Sequence, residues 1–460
     1  MKMRPFLLLL VFLALLSCSN EEEKIVARKA TQELIANVKN WMDRVVSYDT
    51  KKIAYTVNTG NILQPCQVLY INDNQIYTAE HITNLLFSFD STHIAFVARK
   101  DKRAVVLVDG KVIKEYDDIG AKSLLFSPDS SRMAYNAKTP KGWLVAIYNI
   151  NYNKCIESQA YDNVGSKAVF SPDSKRVAYS AKQSGKWKVI LDGEEHKEYD
   201  DIGRRSFTFS PDNKHFVYGS RIGSRWVVVQ DSKESEPYDG IIEDSLLYSP
   251  DGQHFAYAVG DSGKQYVIVD GNSQKRFKKI ASKTLTFSPD GKRLGYVAYD
   301  RDGWFVVVNG KKDKKHELLY SGPIFSSNGE KYAYVAGEKR LFGAKMYVLR
   351  EGKKEGKRYD GILSETLSFS PNSNSIAYVA RRGGLIGGKY FLVVNAGEGG
   401  DYDEVMSLDF QNLGVTSLFQ FRRYYFIKNR QDPWDNDTEV SYLAREKENV
   451  YLVKERVVTN

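Results

Sequence analysis

The sequence is poor in the side chains that build reactive centres, with three cysteines and six histidines among 460 residues. Cys18 stands directly behind an apolar leader. Cys66 and Cys155 lie in segments that are not neighbours, so no disulfide framework organises the chain and no bridge between them is expected. His81, His196 and His316 share no metal-ligand spacing with one another or with Asp and Glu, which leaves no zinc or manganese pattern. No Gly-rich phosphate loop follows a strand and opens a helix, and no cofactor is expected. The apolar run from Phe6 to Leu16 is too short to span a bilayer as a mature helix. The formal charge of +9, or +7 once Lys2 and Arg4 are removed, is mild for this length. Without a basic stripe interleaved with aromatics, it excludes a nucleic-acid partner.

What the chain has in abundance is one phrase: a large apolar residue, Ser-Pro-Asp, a short polar turn and an apolar-aromatic run. It opens at Phe126, Phe170, Phe209, Tyr248 and Phe287, with degenerate copies at Val46, Phe87, Phe325 and Phe369. The interval is about 38 to 44 residues. A period of that length, holding several short strands and no helix, predicts propeller blades, because one small sheet cannot bury both faces alone. Thirty Tyr and 22 Phe suit half-buried strands, so an all-β fold of four-stranded blades is expected.

The turns spell themselves out. Proline presets φ at the first central position and Asp bonds to the backbone two residues on, so Ser-Pro-Asp marks a reversal. Asp109-Gly110, Asp192-Gly193, Asp270-Gly271 and Asn309-Gly310 predict two-residue hairpins whose central residues both take positive φ. Aspartates repeated at one position around a ring are turn-formers, not one active site. His93, His215 and His254 occupy the position that carries Arg132, Arg176 and Arg293 in other units, a solvent-facing strand position. Trp143, Trp187, Trp226 and Trp304 fall at the start of the third strand, as packing between blades. Tyr116, Tyr161, Tyr199, Tyr238, Phe277 and Tyr359 mark the fourth strand leading to the next blade.

The spelling from Phe287 to Tyr296 (Phe-Ser-Pro-Asp-Gly-Lys-Arg-Leu-Gly-Tyr) resembles the WD-like repeats of TolB-type propellers and of the propellers of prolyl oligopeptidase-type enzymes. The resemblance covers residues 46–405 and implies the fold. Function does not follow from it, since such propellers serve as scaffolds, binding surfaces and gates alike. The chain lacks the α/β domain that precedes the TolB propeller and the hydrolase domain, with its Gly-x-Ser-x-Gly elbow, of the peptidases.

Leu15-Leu16-Ser17-Cys18 resembles the bacterial lipobox, which implies that residues 1–17 are a lipoprotein signal peptide, that Cys18 is lipidated and that the protein sits in the cell envelope. Ser19, in place of an Asp, points to the outer rather than the inner membrane. Over residues 18–45 the spacing of Ile25, Leu34, Val38, Trp41, Met42 and Val45, with Asn20 as cap and Glu23 three residues on, predicts a tether and a short helix before the repeats. Residues 406–460 read as a tenth, degenerate blade, with strands at 418–428, 439–445 and 449–458. Ten units exceed the usual four to eight blades, so the chain forms a large ring, a ring with caps, or two propellers.

One asymmetry stands out. The turn between second and third strands is short and polar in most units but long in two neighbours, 338–345 and 381–389. Leu341, Phe342, Leu385 and Ile386 stand where loop tips are usually polar, flanked by Lys339, Arg340, Lys345, Arg381, Arg382 and Lys389. They form a candidate partner-binding patch, or else they pack on each other or on the last unit. The expected function is non-enzymatic: a lipid-anchored propeller that binds an envelope protein or cell-wall component and meets the membrane through its anchor. The alternative is an enzyme acting on a polysaccharide or peptide in the central channel.

Overall fold

The structure is a computed structural model and describes residues 25–37, 41–49, 51–61, 64–165, 167–203, 206–301, 303–341, 343–384, 387–406, 434–436 and 439–459. These residues form ten antiparallel sheets, one after another, as the blades of a ten-bladed propeller. The first blade is Trp41–Val46, Ile53–Asn58, Gln67–Ile71 and Asn74–Ala79, and the ninth begins at Gly361–Phe369. From the third blade to the eighth, the first strand is split in two, as in Asp118–Ile119 and Leu125–Phe126.

Burial follows position in the blade. The second strand, such as Val177–Gln183, is buried on both faces, because a blade is sandwiched between two others. It alternates a small residue with a ring: Ala95 and Phe96, Ala134 and Tyr135, Gly295 and Tyr296, Ala377 and Tyr378 are all buried or have no room to grow. A Cβ on Gly295 would come within 2.6 Å of Pro323 Cγ in the next blade. The fourth strand, such as Glu194–Tyr199, is exposed except at its last ring, so it forms the outer rim, and the split first strands lie inside.

The tenth blade corrects one expectation. Its strands are Glu404–Met406, Glu439–Glu446 with the short Trp434–Asn436 paired to it, and Asn449–Thr459, and the outermost is Ile25–Asn37 from the other end of the chain. Within the described residues the helix predicted between Asn20 and Val45 is therefore absent, replaced by this strand and by Trp41–Val46 of the first blade. The cause is tertiary: the C-terminal segments leave a strand edge open, and pairing from Ile25 with Thr459 to Asn37 with Asn449 satisfies a row of backbone groups that a local helix would leave unmet. Ala36, Val46, Ile53, Tyr55, Leu443, Val450 and Leu452 form one apolar cluster across the junction of the first and tenth blades. The Arg44 guanidinium binds Glu404 beside it, so the ten units close as one ring rather than two.

Candidate interaction face

Hydrogen bonds assign every repeated polar group to one of the two faces. On one face lie the Ser-Pro-Asp turns and the hairpins between third and fourth strands. Ser171 is fully buried; its Oγ donates to Asp173 Oδ1 at 2.6 Å and accepts from the Arg176 N–H at 2.9 Å. The hairpin residue Asp192 has φ of 55° and accepts from the Val177 N–H at 2.8 Å and from Arg176 Nε at 2.9 Å. His93, His215 and His254 hold the same place as Arg176, with Nδ1 2.7, 2.6 and 2.7 Å from Asp109, Asp231 and Asp270. His215 and His254 then stack on Tyr248 and Phe287 of the next blade, as Arg176 covers Phe209. These bases are half exposed, as the strand alternation predicted, and they join blades.

The opposite face carries the crossovers and the turns between second and third strands. Each Tyr-Asp crossover places a carboxylate under the next blade's turn: Asp200 accepts from the Gly223 N–H at 2.7 Å, Asp239 from Ser262 at 2.8 Å, Asp360 from Gly383 at 3.0 Å and Asp403 from Lys447 at 2.7 Å. A third-strand base holds each carboxylate from behind, with Lys186 at 2.5 Å from Asp200, Lys345 at 2.6 Å from Asp360 and Lys389 at 2.6 Å from Asp403. The Lys ammonium first, then the turn N–H, keeps Asp200, Asp360 and Asp403 below the usual carboxylate range. The tyrosine before the Asp packs edge-on against the second-strand ring of the next blade. Tyr199 and Tyr218 lie 6.2 Å apart at 77°, and Tyr359 and Tyr378 6.1 Å apart at 67°. His316 fills this place in its blade; it is buried, its Nε2 lies 3.0 Å from Tyr334 Oη, and burial lowers its pKa. Of the four tryptophans expected to pack between blades, Trp143, Trp187 and Trp304 pack against such clusters, whereas Trp226 is half-buried and exchanges backbone hydrogen bonds with Tyr238.

The second to seventh and tenth blades join second to third strand through two residues, whereas the joins 59–66, 340–343 and 383–388 of the first, eighth and ninth blades are longer. In the turn joining Tyr332–Lys339 to Ala344–Arg350, the Arg340 N–H donates to Gly343 O at 3.0 Å, and Leu341 at the tip is 91% exposed, the most of any large apolar side chain among the described residues. In the neighbouring blade, Gly383 and Gly387 bend the turn at φ of 95° and 74°. Phe342, Leu385 and Ile386 lie outside the described residues, as does Cys18. Most of the flanking bases meet carboxylates: Arg340 reaches Glu338 at 3.0 Å, Arg382 reaches Glu398 at 2.5 Å, and Lys345 and Lys389 hold Asp360 and Asp403. Arg381 bonds the carbonyls of Gly384 and Asp360. Such exposed pairs are worth about 0–1 kcal/mol each, so they order the loops without removing the bases from solvent.

Among the described residues no group of three or more His, Cys, Asp and Glu is placed to hold a metal ion. Cys66 and Cys155 are free thiols, as their separation implied. Sequence reasoning missed the inner edge. Along the first strand the chain bulges, between its two pieces at Lys122, Asp244 and Lys283 and within the unbroken His81–Phe87 at Asn84, and these residues take left-handed backbone, at φ of 55°, 62°, 63° and 58° in that order. Asn84 Oδ1 accepts from the Lys122 N–H at 3.0 Å across two blades. The 38 residues from Asn84 to Lys122 and the 39 from Asp244 to Lys283 match the repeat, but the different chemistry of these residues hid it.

No protein-family model matches the chain, and no curated protein does. Solved propeller structures resemble it distantly. One, titled as a crystal structure of the eukaryotic initiation factor, is 12% identical with a TM-score of 0.47, over 71% of this chain and 90% of its own. TolB from Acinetobacter baumannii is 14% identical with a TM-score of 0.28, over 59% of this chain and 77% of its own. The β-propeller domain of the trilobed protease from Pyrococcus furiosus is 13% identical with a TM-score of 0.28, over 60% of this chain and 94% of its own. A likeness this distant says nothing of what the chain binds.

Proposed function

We propose that this protein is a non-catalytic, lipid-anchored binding propeller of the bacterial cell envelope, and that the loop tips of its eighth and ninth blades dock an envelope protein. The observation that carries this reading is Leu341, exposed to 91% at a turn longer than its two-residue counterparts in the second to seventh blades. Elsewhere on that face the repeated charges join blades, whereas the Leu341 tip and the adjoining turn of the ninth blade present a surface suited to recognising something else. An apolar tip with paired bases around it suits a partner with an apolar ridge and acidic flanks, where burial supplies affinity and charge steers the encounter. The anchor is Cys18, in the outer membrane.

Affinity capture from detergent-solubilised envelopes tests the reading. Leu341→Ser combined with Phe342→Ser and Ile386→Ser abolishes recovery of the partner while thermal unfolding stays near that of the parent. A large drop in unfolding temperature instead assigns these residues to the core and removes the patch. Cys18→Ser leaves an unprocessed or soluble precursor, because acyl chains supply the membrane affinity. Unchanged membrane fractionation in that variant overturns the anchor.

A further inference from the structure

The outer rim is divided by charge. On the outer edges of the sixth, seventh and eighth blades, residues 272–277, 311–316 and 353–359 hold ten Lys and Arg against two carboxylates, Asp313 and Glu355. The corresponding residues of the fourth and fifth blades, 194–199 and 233–238, hold two Lys against five Glu. The three basic strands are contiguous. Lys312 Nζ lies 5.2 Å from the centre of the Phe277 ring, and a Cβ on Gly352 would meet Asp313 Oδ1 at 2.5 Å, so each outer strand touches the next.

Partners divide the rim further. Arg276, Lys312, Lys357 and Arg358 reach Asp261, Asp300, Glu398 and Glu338. The other six bases are all lysines, all exposed, and none has an ion pair among the described residues. On the acidic side, by contrast, Glu195 and Glu198 meet Lys188 at 2.8 and 3.3 Å, and Glu234 meets Lys197 at 2.8 Å. The acidic sector is largely neutralised where it stands, and the basic sector is not.

We propose that this rim is a second binding surface, separate from the loop face, for an anionic polysaccharide. Its unpaired charges are point-like ammonium groups rather than planar guanidinium forks, which suits diffuse attraction to a regularly charged chain more than bidentate recognition. Phe277, His316 and Tyr359, the rings in these strands, are buried. The surface therefore offers no aromatic platform for bases and no apolar anchor for a protein hot spot or a bilayer.

Retention on immobilised dextran sulfate, with unsubstituted dextran as control, tests it at about 0.15 M salt, where the Debye length is about 8 Å and only close charges act. The full chain is retained and elutes steeply with salt. Lys275→Glu with Lys311→Glu and Lys353→Glu weakens binding about ten-fold or more, as expected when contacts that release counterions are lost. Lys111→Glu with Lys154→Glu and Lys233→Glu, the same charge change on the outer strands of other blades, leaves binding within about two-fold of the parent. Equal loss in both triple variants shows net charge alone and overturns the proposal, as does no loss in the first. Tighter binding to phosphatidylglycerol vesicles or duplex DNA than to dextran sulfate assigns the rim to another occupant. Multimers of the parent that the first triple variant dissolves assign it to a second copy of this chain.

Discussion

The backbone N–H of Asp129 donates to Oγ of Ser174, the residue after the Ser-Pro-Asp of the following blade, at 2.9 Å. The same bond joins Asp90 to Ser130 at 3.1 Å, Asp173 to Asn213 at 2.9 Å and Asn328 to Ser373 at 3.0 Å, and the accepting residue always has left-handed backbone. Where that residue is glycine the link changes form: the carboxylate of the preceding blade fills the space a Cβ would take, 2.7 Å away at Gly291 and 2.6 Å at Gly329.

Two kinds of blade junction therefore predict unequal responses to alanine. Ser174→Ala removes the acceptor and keeps a Cβ at φ of 63°, whereas Ser174→Gly removes the acceptor and relieves the backbone. The glycine variant is the more stable of the two by about 0.5–1 kcal/mol. Gly291→Ala, at φ of 73° against Asp251, destabilises more than either. Thermal unfolding of the three variants checks the order; a Gly291→Ala protein as stable as the parent refutes it.

The hydroxyl at the centre of each turn is a second target. Ser171→Ala leaves the Arg176 N–H without its acceptor in a place closed to water and strips a hydrogen bond from Asp173, at a cost of about 1–3 kcal/mol. Amide exchange localises the effect: Val177–Gln183 loses protection while the first blade does not.

Acid acts through the same turns. Burial alone pushes the carboxyls of Asp90, Asp129, Asp173, Asp212, Asp251 and Asp290 up, but hydrogen bonds from the turn serine and the nearby backbone outweigh it and hold each below the ordinary 3.8. A depressed folded-state pKa gives stability that is complete above the unfolded value and lost as pH falls through the folded one. Unfolding temperature is flat from about pH 7 to 5 on account of these groups and falls below about pH 4. Asp129→Asn combined with Asp173→Asn makes that fall shallower, and an unchanged slope would falsify the assignment.

Ring closure depends on the strand Ile25–Asn37. Ala36→Asp puts a charge into the cluster of Val46, Ile53, Leu443 and Leu452, at a cost on the order of 3 kcal/mol. Exchange rises across Asn449–Thr459, whose outer edge that strand covers, and limited proteolysis cuts the tenth blade first. Unaltered protection of Asn449–Thr459 shows that the blade stands without its outer strand.

The sequence by itself determined the blade: its period, its turns and the alternation that buries Tyr135 or Tyr378 repeat every unit and depend on contacts no further away than the next one. It also pointed to the long turns around Leu341, because they break a pattern. Three things needed the tertiary structure. The segment from Ile25 carries a helix-like spacing, yet it is a strand, because its hydrogen-bond partners lie more than 400 residues away at Asn449–Thr459. That pairing also decided that ten blades make one ring. The uneven charge of the outer rim was written in the lysines of residues 272–277, 311–316 and 353–359, but only adjacency of their strands makes it a surface. Local propensity and period report what a residue does beside its chain neighbours; closure, and the faces that adjacent blades share, are set by groups that meet only once the chain has come round.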